Sequence, residues 1–267
     1  MAHTMQLGLI GYGTSGRQVA RGIADGKAGE ARISAVLVRR ADAEGPSGAL
    51  VTADRDRFLA EPLDLVIELA GQEAVRQHGE AMLRAGRDLM IISIGVLSDD
   101  ALFGRLRDAA IAGGGRLLLP SGAIGSLDAI SSAAIGGLDE VTITTRKPPD
   151  ALATGTDRDA ALGEAESQPV LLYEGATRDA VRLFPANVNV AAAVSLAGIG
   201  FDRTQIRIFA DPAVTRNTHE IHAKGWFGEL RFTIMNVPTE NPKTGRITAL
   251  SVIKAIRNLR APVALVG

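Results

Sequence analysis

The first 120 residues alternate short, continuously apolar runs with longer amphipathic stretches. The runs fall at residues 7–10, 33–38, 63–69, 89–92 and 116–119, with helix-period segments at 16–25, 72–85 and 99–112. Runs apolar throughout fit strands buried on both faces, and helices between them build a doubly wound parallel sheet. The pattern changes after Pro120. A glycine- and serine-rich turn, SGAIGS, leads into an apolar helix over residues 127–135. VTITTR, VLLYEG, TQIRIFA and RFTIM then alternate apolar and polar positions, as half-exposed antiparallel strands do. Residues 148–168 read as a loop and an exposed helix, and residues 186–197 as a buried helix. A last helix is predicted over 244–259, with Ile247, Leu250, Ile253 and Ile256 at helical spacing after the turn Asn241-Pro242-Lys243. No internal repeat interrupts this order. The predicted fold class is α/β: a Rossmann-type doubly wound parallel sheet, plus an α+β part with a mostly antiparallel sheet.

Composition narrows the chemistry. The 267 residues exceed one typical domain, and 46% apolar with 22% charged residues is ordinary for a globular protein. Lys+Arg 29 against Asp+Glu 30 leaves a net charge of -1, without the basic excess that nucleic acid or an anionic membrane would call for. No apolar run reaches the roughly 20 residues of a membrane span. The opening MAHTMQ lacks the basic and apolar regions of a signal peptide, so a cytoplasmic location is expected. There is no cysteine. This excludes disulfides, thiolate metal sites and the thiohemiacetal chemistry of aldehyde dehydrogenases. The Glu-Lys-Pro that sugar oxidoreductases carry near the fourth strand is also missing, since Ser93-Ile94-Gly95-Val96 stands there.

Gly11-Tyr12-Gly13-Thr14-Ser15-Gly16 fits the dinucleotide fingerprint G-x-G-x-x-G. It follows an apolar strand and opens a helix, which is the context that gives the motif meaning. Gly11 permits the tight turn, Gly13 lets backbone approach a pyrophosphate, and Gly16 brings helix close to strand. The expected cofactor is NAD or NADP. An acidic residue at the tip of the second strand would hold the ribose 2′-hydroxyl of NAD, but Arg39 and Arg40 stand there. Arginines at this point suit a 2′-phosphate or stack on adenine; otherwise they are solvated surface charges.

Four histidines are candidates for proton transfer. His3 lies in the tail, and His78 sits mid-helix at an expected surface position. His219 and His222 lie in RNTHEIH. On a strand, their odd spacing puts them on opposite faces, so they would not share a metal ion, and no metal site is expected. One of the pair, with His219 the candidate, could serve as a general base, because imidazole titrates near neutral pH.

The segments GLIGYGTSG, PSGAIGSLDAI, FPANVNVAAAVSLAGIG, ADPAVTRNTHEI and NPKTGRITALSVIKAI resemble, in this order and spacing, the L-aspartate dehydrogenase family. The likeness runs from about Gln6 to Leu259. It implies a Rossmann domain over residues 1–120, an inserted α+β catalytic and dimerisation domain over 121–240, and a C-terminal helix over 241–267 that returns to the first domain. It implies NAD(P)-dependent oxidation of L-aspartate to iminoaspartate, reverse amination of oxaloacetate with ammonia, and supply of iminoaspartate to NAD biosynthesis. His219 matches the family's catalytic histidine, while Ala123 and Asn189 match its contacts near the nicotinamide.

The chemistry of these residues agrees with that likeness. Neutral imidazole can take the ammonium proton, the Asn189 amide can orient the nicotinamide carboxamide, and the Ala123 N–H can do similar work. Two substrate carboxylates call for cationic or amide partners, for which Asn217, Lys243 and Thr244 are candidates. A homodimer is expected, because an uncovered apolar face of the second sheet tends to find a partner. Two alternatives stay open: a related oxidoreductase of the homoserine dehydrogenase or dihydrodipicolinate reductase type, and a non-catalytic NAD(P)-binding homologue. Homoserine dehydrogenase uses a lysine as acid and base, and residues 216–222 contain none.

Overall fold

A first sheet is built from β1 (Met5–Ile10), β2 (Ala31–Leu37), β3 (Leu50–Thr52), β4 (Leu65–Glu68), β5 (Asp88–Ile91) and β6 (Leu117–Leu118). Its strands are all parallel and run in the order β3-β2-β1-β4-β5-β6. The computed structural model describes residues 4–40, 42–152, 167–185, 188–237 and 245–264. Between the strands lie α1 (Thr14–Ala24), α2 (Arg55–Leu59), α3 (Gln72–Arg84) and α4 (Asp100–Gly113). The strand order reverses direction between β1 and β4, which makes a crevice at their carboxyl ends. The third strand and α2 escape the hydrophobic pattern, because three and five residues are too short to show a period.

The chain divides into two compact units, one up to Gly122 together with the residues from Thr248, the other Ala123–Ile247. The first unit's core explains its uniformly apolar strands. Leu7, Leu9, Val36 and Ile67 pack with Val19, Ala20 and Ile23 of α1 and with Ala249, Val252, Ile253 and Ile256 of the last helix, α8 (Arg246–Asn258). Gly22 of α1 has no room for a Cβ, because Ile253 Cδ1 occupies that space. The buried stripe of α8 corrects the predicted one. Ile247 and Leu250 are exposed, and Ala249 and Val252 take the core positions instead. Several apolar residues along one helix offered two overlapping stripes, and packing decided between them.

The second unit holds β7 (Leu138–Lys147), β8 (Val170–Ala176), β9 (Gln205–Ala210), β10 (Asn217–Gly225) and β11 (Gly228–Asn236), in the order β11-β10-β7-β9-β8. Three of its four pairings are antiparallel, and β7 pairs with β9 in parallel. The helices are α5 (Leu127–Gly136), α6 (Thr177–Leu183) and α7 (Asn189–Ala197). One sheet face is buried through Val141, Ile143, Ile206, Ile208, Ile221 and Ala223. Helices α5 and α7 pack on each other, and Gly198 at the end of α7 lies against Ile130 and Val141. The opposite face is polar. It presents Glu220, His222, Lys224, Arg231 and Thr233, and His222 Nε2 lies 2.8 Å from Glu229 Oε1. The apolar open face behind the dimer expectation is therefore replaced by a charged one.

Candidate active site

The glycine turn closes β1 and opens α1, and each glycine has its own physical reason. Gly11 has φ 94°, a left-handed backbone that side chains disfavour, and a Cβ there would sit 2.7 Å from the Ala70 methyl. At Gly16 a Cβ would meet the Gly11 carbonyl oxygen at 2.6 Å, so only glycine lets α1 start so close to the strand. Gly13 is different: nothing lies within 4 Å of its would-be Cβ. It is the N-cap of α1, and no side chain caps that helix end. The open space at Gly13 and the helix N-terminus together fit a pyrophosphate. Tyr12, Thr14 and Ser15 complete the turn.

A cleft of about 690 Å³ beside this turn is lined by Tyr12, Arg17, Val38, Arg39, Arg40 and Glu44, among others. Arg39 and Arg40 are both exposed, and Arg40 lies 3.7 Å from Asp42. No acidic side chain stands at the β2 tip itself, where Leu37 is followed by Val38, Arg39 and Arg40.

In the second unit, the polar chemistry gathers at one end of the buried sheet face. His219 on β10 is 4% exposed and stands opposite Thr145 on β7. Its Nδ1 lies 3.0 Å from Thr145 Oγ1. Burial, and after it the nearby Lys147 ammonium, together lower the imidazole pKa to about 3. His219 is therefore uncharged at neutral pH. His222 lies on the other face of the same strand, as the odd spacing requires. His78 departs from its expected surface position: it is half-buried on α3, and its Nδ1 has no partner among the described residues.

Asn217 precedes His219 by two residues and shares its face, buried and paired in register with Asn236. The Asn236 side chain donates to the Ala123 carbonyl at 2.8 Å. Ala123, Asn236, Asn217 and His219 thus form one run of neighbours. Three residues later Ser126 has φ 63°, the one non-glycine with positive φ among the described residues, and its buried Oγ lacks a partner among them. Asn189 is the first residue of α7 and is partly buried. Lys243 and Thr244 lie outside the described residues.

Thr145, Lys147 and Asn236 carry no motif, yet they complete this cluster. One signal was available. In the strand VTITTRK, Lys147 falls in phase with the buried Val141 and Ile143, and it is 2% exposed. A lysine at a core position of an alternating strand is either paired or functional.

A dinucleotide turn on a sheet of this order, joined to a unit holding a buried neutral histidine, defines an NAD(P)-dependent oxidoreductase. Residues 11–120 match the model for the homoserine dehydrogenase NAD binding domain, and residues 128–259 match the one for the aspartate dehydrogenase C-terminal region. The chain is 42% identical to the L-aspartate dehydrogenase of Methanosarcina barkeri over 97% of this chain and 98% of that protein. It is 39% identical to that of Brucella anthropi, over 94% of each. The crystal structure of aspartate dehydrogenase from Thermotoga maritima superposes with a TM-score of 0.77 at 25% identity, covering 99% of this chain and 100% of that one. The chain belongs to the L-aspartate dehydrogenase family.

Proposed function

We propose that this protein oxidises L-aspartate to iminoaspartate with NAD or NADP, and aminates oxaloacetate with ammonia in reverse. The observation that carries the reading is the buried, uncharged imidazole of His219, in a chain whose C-terminal half matches the aspartate dehydrogenase model. L-Aspartate arrives as an ammonium, and oxidation at Cα needs the free amine. His219 is the group that takes this proton. Burial and Lys147 make it a weak base on its own. Two substrate carboxylates oppose that shift, because they offset the Lys147 charge and favour imidazolium. Lys147 and Asn217 are the partners such carboxylates would meet at this end of the sheet.

Bound NAD(P)+ supplies the acceptor for the hydride that leaves Cα. Asn189 and the Ala123 backbone orient the ring, and the glycine turn from Gly11 to Gly16 holds the pyrophosphate. Loss of hydride leaves an iminium, water adds to its carbon, and ammonia departs to give oxaloacetate. His219 holds or returns the proton in these steps. Iminoaspartate released before hydrolysis would feed NAD biosynthesis in the cytoplasm.

A homodimer belongs to the same reading. Trp226 and Phe227 are exposed at the β10–β11 turn, where the indole lies over Gly136 beside the exposed Ile135. A second copy would cover this apolar knuckle. Sedimentation velocity tests it, and a monomer at micromolar concentration would refute it.

The activity test mixes purified protein with NAD or NADP and, in turn, L-aspartate, D-aspartate, L-glutamate and L-homoserine. Cofactor reduction with L-aspartate alone is expected. The match of residues 11–120 to a homoserine dehydrogenase domain gives the second reading. Turnover of homoserine alone would establish it, and cofactor binding without any turnover would leave a non-catalytic homologue.

A further inference from the structure

The last residue of β4 is Glu68, paired in register with Ile10, the last residue of β1. The two residues therefore flank the point where the strand order reverses. Glu68 is fully buried. Its Oε1 accepts hydrogen bonds from Ala70 N at 2.7 Å, Gly71 N at 2.6 Å and Ser93 Oγ at 3.0 Å, and its Oε2 accepts from Ser93 N at 3.2 Å. Ala70 and Gly71 lie in the loop that leaves β4 towards α3, and Ser93 is the second residue after β5. The Ala70 methyl in turn rests against the backbone of Gly11, so the β4 loop borders the glycine turn.

All these partners donate, so the ionised carboxylate is the form that satisfies them. Burial pushes the Glu68 pKa up, and the hydrogen bonds oppose that push. An acid held at such a cost only to finish a strand would be an expensive cap, since serine, threonine or asparagine caps a turn without a charge. Its location suggests a different purpose. A dinucleotide lies across the crevice with one mononucleotide on each half of the sheet. The β2 tip belongs to the adenosine half, which leaves the loops after β4 and β5 for the nicotinamide half. The Glu68 carboxylate bonds to both of those loops at once.

We propose that Glu68 is a positioning residue for the nicotinamide half of the cofactor, acting by locking the loops after β4 and β5 together through its carboxylate. It touches no reacting atom. It fixes the backbone on which the nicotinamide riboside rests. The inference depends on dinucleotide binding and not on which amino acid is oxidised.

The test compares Glu68→Gln and Ser93→Ala with the parent protein by isothermal titration calorimetry, using NADH, NADPH and ADP as ligands. Gln keeps the shape but turns an amide N–H2 toward the Ser93 N–H. Ala removes one donor and leaves the charge. The expected result is at least a tenfold loss of reduced-cofactor affinity in Glu68→Gln, several-fold in Ser93→Ala, with ADP affinity within about twofold in both. A structural fault would weaken ADP and the reduced cofactors alike. Equal losses, or no loss at all, would overturn the proposal. If Glu68→Gln does not fold, as read by circular dichroism, the same split in Ser93→Ala decides. A parent protein that binds neither NADH nor NADPH would instead sink the dinucleotide reading itself.

Discussion

Thr145 Oγ1 and His219 Nδ1 are 3.0 Å apart across the β7–β10 ladder, inside a face that excludes water. This bond decides what the other ring nitrogen can do. When Nδ1–H donates to the hydroxyl, Nε2 carries a lone pair and can accept a proton; when the hydroxyl donates, Nε2 carries the hydrogen. The hydroxyl serves either tautomer, as acceptor in one and donor in the other, and it fixes the ring plane in both. Removing it while keeping the shape, Thr145→Val, is expected to lower kcat/KM for L-aspartate about 10-fold. Thr145→Ser should restore most of it. His219→Ala should lower turnover at least ~100-fold with cofactor affinity unchanged. Steady-state kinetics with separate NADH titrations measure both, and near-parental turnover in His219→Ala would remove the residue from its role.

The same histidine makes a pH prediction for stability. Its folded pKa is lowered from 6.5 to about 3. Between those values the unfolded chain binds a proton that the folded one refuses. Stability contributed by this group is thus fully present above pH 6.5 and is lost as pH falls toward 3. The loss runs at about 1.4 kcal/mol per pH unit within that window. Urea unfolding between pH 7.5 and 4.5 measures it, with His219→Gln as reference. The difference in slope between the two proteins should appear only below about 6.5, and parallel curves would contradict the buried neutral imidazole.

What the sequence disclosed, and what it did not, follows from how local each signal is. The glycine turn and the parallel strands are encoded within short windows, as a fingerprint and as uninterrupted apolar runs, and both were legible. Edge strand β3 has only three residues and leaves no period. The stripe of α8 was misread at Ile247 and Leu250, because which apolar side of a helix is buried depends on partners far away in the chain. The His219 cluster is non-local as well: Thr145 and Asn236 meet it only through strand register. Lys147 was readable in principle, since its phase with Val141 and Ile143 marks a lysine aimed at the core.

The three glycines of the turn separate binding from folding. A methyl at Gly13 has open space around it and a backbone of φ -78° that alanine accepts. Gly13→Ala should keep the parental melting temperature within about 2 °C and weaken NADH at least tenfold, because the added methyl takes the space a pyrophosphate needs. A methyl at Gly16 would strike the Gly11 carbonyl oxygen, which cannot rotate aside. Gly16→Ala should therefore lower both affinity and melting temperature. Thermal unfolding alongside calorimetry distinguishes the two, and a Gly13→Ala protein that binds NADH normally would exclude the turn from cofactor binding.

Arg39 and Arg40 give the last test, because the choice between NAD and NADP rests at their position. They line the same cleft as Arg17 and Tyr12, and the β2 tip offers no carboxylate to a ribose 2′-hydroxyl. A 2′-phosphate would gain charge-assisted hydrogen bonds from such a set, whereas a 2′-hydroxyl loses nothing when one guanidinium is removed. Arg39→Asp supplies the missing acceptor and repels a phosphate at once. It is expected to lower kcat/KM with NADP at least tenfold while that with NAD holds or rises. Arg39→Ala should shift the ratio in the same direction by less, since it removes attraction without adding repulsion. The ratio of kcat/KM for the two cofactors is the quantity to measure, at fixed ionic strength because these exposed charges are screened by salt. A ratio that does not move in either variant would make the two arginines solvated surface charges and send the search for the cofactor-selecting group elsewhere in the cleft.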